Sequence, residues 1–176
     1  MYKGPKRKFN KQMQKKPSEY ALQLIEKQKL RKAYSLREKP LKRYFITAKR
    51  QRLDIESFLS KELERRLDNV LYRLGWAQTR PQAAQLVNHG HIVVNKKRVT
   101  IPSYQVKNTD VIEVKENKKK AHIFQSSAAK LSKHNLPAWL IFASADKLKA
   151  EVKGEPTKED FTEPINLSLI LEFYSR

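Results

Sequence analysis

The chain has 176 residues, with 38 Lys and Arg against 18 Asp and Glu for a net charge of +20. At 39% apolar and 32% charged residues it can fold as one or two compact domains around a thin core, with some segments ordering only against a partner. Cysteine is absent, which excludes disulfides and thiolate zinc; His89, His91, His122 and His134 form no helical i,i+4 ligand pair, and no apolar run approaches the ~18 residues of a membrane span, so no metal, cofactor, small-molecule substrate or membrane is expected.

Charge is concentrated early: residues 1–52 hold 18 Lys and Arg against 3 Asp and Glu, whereas 53–176 hold 20 against 15. A polyphosphate relieves the self-repulsion of such a segment, so nucleic acid is the expected partner class. The opening MYKGPKRKF lacks the apolar core of a secretory signal, which points to the cytoplasm or an organelle interior. Residues 1–17 carry Lys3, Lys6, Arg7, Lys8, Lys11, Lys15 and Lys16 with no apolar period to offset the entropy of ordering, and read as an extended arm along a phosphate backbone.

A helical domain is expected over 18–64. Ser18 is a suitable N-cap for a helix running to about residue 36, with Leu22, Ile25 and Ala33 as its buried stripe. Lys27, Lys29, Arg31 and Lys32 spread over the remaining circumference, a distribution that suits RNA wrapping the helix. Lys39-Pro40 should end it. In the next segment Arg43, Lys49 and Arg50 surround Tyr44 and Phe45, aromatics that either stack on bases or pack the helix. Asp54 can cap a third helix with the stripe Ile55, Phe58, Leu59 and Leu63.

Residues 65–116 read as a compact α+β module. Leu67, Val70, Leu71 and Leu74 follow i,i+3,i+4,i+7 on a short helix flanked by Arg65, Arg66 and Arg73, and Gly75 stops it. Thr79-Arg80-Pro81-Gln82 matches a capping box, with Thr79 accepting from the Gln82 backbone and the Gln82 side chain reaching back. That second helix buries Ala83, Leu86 and Val87, presents Gln82, Gln85 and His89 on its other face, and stops at Gly90. Residues 91–95 form a strand; Asn95 tolerates the left-handed backbone of a tight hairpin, and Lys96, Lys97 and Arg98 place three cations at its tip. A further strand covers 111–114, and the residues of this module expected to face RNA are Arg65, Arg66, Arg73, Thr79, Arg80, Gln82, Gln85, His89, Lys96, Lys97 and Arg98.

After a basic linker at 118–120, a helix is expected around 123–131, a buried strand at 139–142, and a pairing partner at 148–152. Residues 146–172 hold seven Asp and Glu against four Lys and should face solvent or a basic protein. The alternation of Leu167, Leu169, Leu171 and Phe173 predicts a final strand. The expected fold class is α+β: a helical domain, an inserted module of two helices and short strands, and a C-terminal segment, 117–176, whose strands close the helical domain.

The stretch RLDNVLYRLGWAQTRPQAAQLVNHGHIVVNKKRVTIPSYQV resembles the S-four RNA-binding domain as found in the S-four family of small-subunit ribosomal proteins. The opening YKGPK, the helix EYALQLIEKQKLRKAY and the terminus INLSLILEFYSR agree with that family. The resemblance implies direct binding to small-subunit ribosomal RNA, nucleation of subunit assembly, and a place near the path by which messenger RNA enters. It also implies contact with neighbouring ribosomal proteins such as S-five, contact that influences decoding accuracy. Departures are the missing zinc-binding cysteines, Lys15-Lys16-Pro17 without the following arginine, and Asn95-Lys96 at the hairpin tip.

Two other classes compete. A free-standing RNA-binding factor acting on ribosomal particles would share the module. Pseudouridine synthases also carry such a module and place a catalytic aspartate in Arg-Leu-Asp, which occurs here as Arg66-Leu67-Asp68. Here the triplet opens the module, where Asp68 is expected to support the helix start or pair with an arginine, and too few residues follow for a catalytic domain.

Overall fold

The structure is a computed structural model that describes residues 17–51, 53–121, 124 and 136–175. The basic arm, with Lys3, Lys6, Arg7, Lys8, Lys15 and Lys16, lies outside the described residues, as does the helix expected around 123–131 apart from Phe124.

Four helices make the first layer: α1 (Glu19–Ala33), α2 (Glu38–Arg50), α3 (Ile55–Glu64) and α6 (Leu167–Ser175). The caps form as expected, with the Ala21 amide donating to Ser18 Oγ at 3.3 Å and the Ser57 amide to Asp54 Oδ2 at 3.3 Å. The α1–α2 break comes earlier than Pro40. Tyr34 caps α1, Ser35 turns the chain at φ 52°, and Pro40 sits in the first turn of α2, where a missing amide hydrogen costs nothing.

The buried face of α1 is also not the expected one. Leu22 and Ile25 are 42% and 46% exposed, whereas Gln23, Lys27 and Leu30 are buried. Packing against α6 explains the difference. Gln23 Nε2 donates to Glu172 at 3.0 Å; the Lys27 ammonium lies 4.3 Å from the Phe173 ring centroid and donates to Glu38 at 2.9 Å. With the Gln23 Nε2 and the Lys27 ammonium both bonded, the aliphatic stems behave as core, while Gln23 Oε1 is buried without a partner among the described residues.

The terminal strand is a helix. Leu167 and Ile170 are buried, Leu171 and Tyr174 pack beside them, and the Leu169 amide donates to Asn166 Oδ1 at 3.2 Å. Leu167, Ile170, Leu171 and Tyr174 also satisfy the i,i+3,i+4,i+7 pattern, and the described residues of the helical layer offer no strand edge to pair with, so packing selects the helix. The seam core is Leu30, Tyr34, Leu41, Phe45, Leu59, Leu63, Leu167 and Ile170. Phe45 stands 4.7 Å from the Tyr174 ring, which makes it a packing residue.

Carboxylates fasten α6 into this layer. Glu56 accepts from Lys158 and from Ser168 (2.9 Å), bonds that hold its carboxyl below the usual range. Burial pushes Glu38 up, but the bonds from Lys27 and Tyr174 outweigh it and leave Glu38 lowered. A carboxylate depressed on folding contributes stability above its unfolded pKa and loses it as pH falls through the folded value. Acidification below the ordinary Glu range is therefore expected to loosen α6 before the module. Amide exchange followed against pH checks this; simultaneous loss in both regions would contradict it.

The second layer holds α4 (Leu67–Arg73), α5 (Arg80–Asn88), and strands β1 (Ile92–Val94), β2 (Lys97–Arg98), β3 (Val111–Val114), β4 (Leu140–Phe142) and β5 (Lys149–Val152). The strands form one antiparallel sheet in the order β2-β1-β3-β5-β4. Ile92 pairs with Val114, Val94 with Ile112, Ile112 with Ala150, and Leu140 with Val152. Each of these points to the buried face, against Leu67, Val70, Leu71, Leu74, Leu86 and Val87. The expected β4–β5 pair is present, yet it extends the module's sheet through β3 and does not close the helical layer. Trp76 explains the attachment: it is fully buried and donates its indole N–H to Lys147 O at 2.8 Å. The expected boundary at 116 thus falls inside one sheet, and among the described residues of that segment it is the chain beyond β5 that returns to α1 and α3.

Candidate nucleic-acid interface

The exposed end of the module is built by a two-residue hairpin. Asn95 and Lys96 have φ of 49° and 64°, the paired left-handed residues that match strand twist in a tight turn. Asn95 suits its position because its amide donates to Asp110 Oδ1 at 2.8 Å and its carbonyl accepts the Val111 amide at 2.9 Å. Asp110 Oδ2 in turn accepts the Lys107 amide at 2.8 Å. The tip is thereby tied to the loop before β3, and Lys96, Lys97 and Arg98 stand exposed with no acidic partner among the described residues.

Arg98 turns back across the end of α5. A Cβ at Gly90 would lie 2.1 Å from Arg98 Nε, so the guanidinium occupies space that only glycine leaves open. Gly90 also holds φ +68°, which an L side chain adopts at a cost of about 1–2 kcal/mol. Gly90→Ala is expected to lower Tm by about 2–8 °C and displace Arg98, as thermal unfolding would register.

Beside Arg98 stand His89 and His91, ring centroids 5.9 Å apart. Burial pushes the His91 imidazole below its ordinary value, and Lys118, His89 and Arg98 push the same way. Its buried Nδ1 has no hydrogen-bond partner among the described residues. Lys118 belongs to the run expected as a basic linker. A short 3-10 turn over Glu116–Lys118 places it here, while Lys119 is engaged by Glu116 at 2.9 Å and Asp146 at 3.7 Å. The only local signal for Lys118 was its charge, since the fold alone brings it to His91.

On α5, Thr79 Oγ1 accepts the Gln82 amide at 3.3 Å as expected, but Gln82 Oε1 accepts from Gln78 N at 2.7 Å, one residue before the expected Thr79. Gln82 is therefore engaged in the cap, and Gln85 and His89 remain as the exposed polar groups of that face.

Several expected RNA-facing cations are instead internal. Arg66 grips Asp68 through two bonds of 3.0 and 2.6 Å, both residues buried, and Asp68 also accepts the Asn69 amide at 2.8 Å. Asp68 thus starts the helix and pairs with arginine. Burial pushes its carboxyl up against the lowering influence of Arg66. Arg73 forks onto the fully buried Glu64 at 2.9 and 2.8 Å and reaches Asp160 O and Thr162. Arg80 bonds Asn69, Ala33 O and Glu163 at 2.8, 3.0 and 2.8 Å and lies over Tyr34 and Tyr72. These two arginines bolt the helical layer to the module. Lys27 is buried against α6, and Arg65 Nε donates to Val106 O at 2.8 Å.

On the helical layer, Lys29 pairs with Glu26 and Arg31 lies 4.0 Å from Glu38. Lys32, Arg43, Lys49 and Arg50 are exposed without an acidic partner among the described residues. No helix of the described residues is long and apolar enough to cross a membrane.

Residues 65–112 match the family model described as the S4 domain, and residues 2–72 match that of the ribosomal protein S4/S9 N-terminal domain. The chain is 46% identical over 164 residues to the small ribosomal subunit protein uS4 of Solidesulfovibrio magneticus, covering 93% of this chain and 78% of that protein. It is likewise 46% identical to the uS4 proteins of Lachnospira eligens and Aquifex aeolicus, each over 92% of this chain and over 81% and 78% of theirs. With two consecutive domain models and relatives of this similarity along nearly its whole length, the chain belongs to the uS4 family of small ribosomal subunit proteins.

Proposed function

We propose that the chain is a structural component of the small ribosomal subunit that binds its ribosomal RNA directly, with Lys96, Lys97, Arg98, Gln85, His89 and Lys118 on a junction backbone. Lys32, Arg43, Lys49 and Arg50 add phosphate contacts from the helical layer, and the arm, residues 1–17, adds affinity. The carrying observation is that Lys96, Lys97, Arg98, Lys118, Lys32, Arg43, Lys49 and Arg50 stand exposed with no acidic partner among the described residues, whereas Arg73, Arg66 and Arg80 bond internally to Glu64, Asp68 and Glu163. Fixed cations on a rigid hairpin suit recognition of folded RNA by shape and phosphate position.

Binding of this kind favours an early role in subunit assembly, and the family membership favours a site near the path by which messenger RNA enters, with an influence on decoding accuracy. The carboxylates beyond β5 offer a surface for a basic neighbour such as S-five. Crosslinking the chain to RNA and sequencing the attached fragments, after a high-salt wash of sedimented subunits, tests the reading. Stoichiometric residence with crosslinks to small-subunit RNA is expected; presence only on free or stalled particles would favour a free-standing factor instead.

A further inference from the structure

A cleft of about 680 Å3 opens where the α1–α2 turn and α2 meet the loop before Val106, lined among others by Arg37, Arg43, Tyr44, Glu62, Asn88 and Gln105. Its size lies within the ~300–1,000 Å3 of sites that enclose small ligands. Arg37 and Arg43 are exposed at it, with no acidic partner among the described residues. Tyr44 is half-buried, its hydroxyl 3.5 Å from Arg66 Nη1, and Arg66 is itself held by Asp68, so the aromatic wall is backed by a fixed pair. Gln105 is oriented by donating Nε2 to Glu62 O at 3.0 Å, which leaves its Oε1 buried without a partner.

A groove of comparable size, about 580 Å3, runs beside α6 but is lined by Glu26, Glu56 and Glu163, which repel a phosphate. Lys158 of this second groove is paired with Glu56, whereas the first cleft combines arginines that have no acidic partner among the described residues with an aromatic ring and an unused acceptor. Those are the three groups that single-stranded RNA recognition uses: cations for the phosphate, an aromatic face for an unstacked base, and a fixed polar atom for its edge.

We infer that this cleft receives one unpaired nucleotide of the bound RNA, its phosphate at Arg37 and Arg43, its base against Tyr44, and an exocyclic amine directed to Gln105 Oε1. An exocyclic amine donor admits adenine, cytosine or guanine and excludes uracil. The inference rests on the RNA-binding reading above and adds to it a base-reading site outside the hairpin.

The test is dimethyl sulfate and kethoxal probing of small-subunit ribosomal RNA bound to the full chain, which together read unpaired adenine, cytosine and guanine. An unpaired adenine, cytosine or guanine is expected to be protected by the wild type and by Tyr44→Phe, which keeps the ring, and to become reactive with Tyr44→Leu. Protections that depend on the hairpin should persist in that variant. The double variant Arg37→Gln, Arg43→Gln, which leaves the core untouched, is expected to bind about 20-fold more weakly at 0.15 M salt, the counterion release of two phosphates. If no unpaired adenine, cytosine or guanine distinguishes wild type from Tyr44→Leu, the nucleotide site is overturned while RNA binding stands. If the wild type protects nothing in the RNA, the RNA-binding reading fails and the cleft assignment falls with it.

Discussion

Glu64→Ala is expected to be the most damaging single substitution in the chain, destabilising it by about 3–5 kcal/mol, the range for removing one partner of a buried ion pair. Glu64 is fully buried and accepts four hydrogen bonds: Tyr34 Oη at 2.7 Å, Asn69 Nδ2 at 2.9 Å, and Arg73 Nε and Nη2 at 2.9 and 2.8 Å. Burial first, and then the Glu64 charge, push the Tyr34 hydroxyl well above its ordinary value, so that it stays a donor. Truncation removes at once the carboxylate that neutralises the Arg73 guanidinium and an acceptor of the Asn69 amide and the Tyr34 hydroxyl, and a buried polar group that loses its partner carries a desolvation penalty. Since a folded chain is stable by only ~5–15 kcal/mol, the loss is a large share of the total. Urea unfolding checks the value. Lys61→Ala serves as the contrast: it breaks the surface pair with Glu155 and is expected to cost under about 1 kcal/mol. Equal effects from the two would show that the Glu64 centre contributes little.

That centre also shows where sequence reading runs out. Ser18, Asp54 and Thr79 cap their helices from side chains three residues away, and Gly75, Gly90 and Asn95 take up positive φ at the turns their residue types favour. Such features depend on neighbours in the chain, and the pattern displays them. Which polar residue is buried depends on distant partners instead. Gln23 meets Glu172 and Arg80 meets Glu163, so their sequence neighbourhood says nothing of their burial. Charge alone therefore placed Lys27, Arg66, Arg73 and Arg80 on the outside with Lys96 and Lys97. Distinguishing the two groups requires knowing where the carboxylates fall. The same limit applies to β4 and β5: their pairing with each other is local, whereas their place beside β3 depends on Trp76 reaching Lys147 O.

The separation of internal from outward cations leads to the expected behaviour of the hairpin. Replacing Lys96, Lys97 and Arg98 together by glutamine is expected to weaken binding to small-subunit ribosomal RNA by about 100-fold at 0.15 M salt, with the salt slope reduced by roughly 0.7–0.9 for each phosphate that is no longer neutralised. The fold should tolerate the change. Asn95 and Asp110 hold the turn without these three side chains, β2 is exposed, and the tip carries no ion pair among the described residues to be broken. Filter binding across a salt series, with unfolding curves as control, separates the outcomes. A reduced slope with unchanged stability places the hairpin on the phosphate backbone. An unchanged slope would mean that the hairpin points away from the RNA, leaving the helical-layer cations Lys32, Arg43, Lys49 and Arg50 and the arm to supply the attraction. Replacing only Lys27 by Met should leave the slope alone, because that ammonium is already held between Glu38 and the Phe173 ring. A charge deleted from the surface changes how binding responds to salt; a charge deleted from the seam changes how firmly the protein is folded.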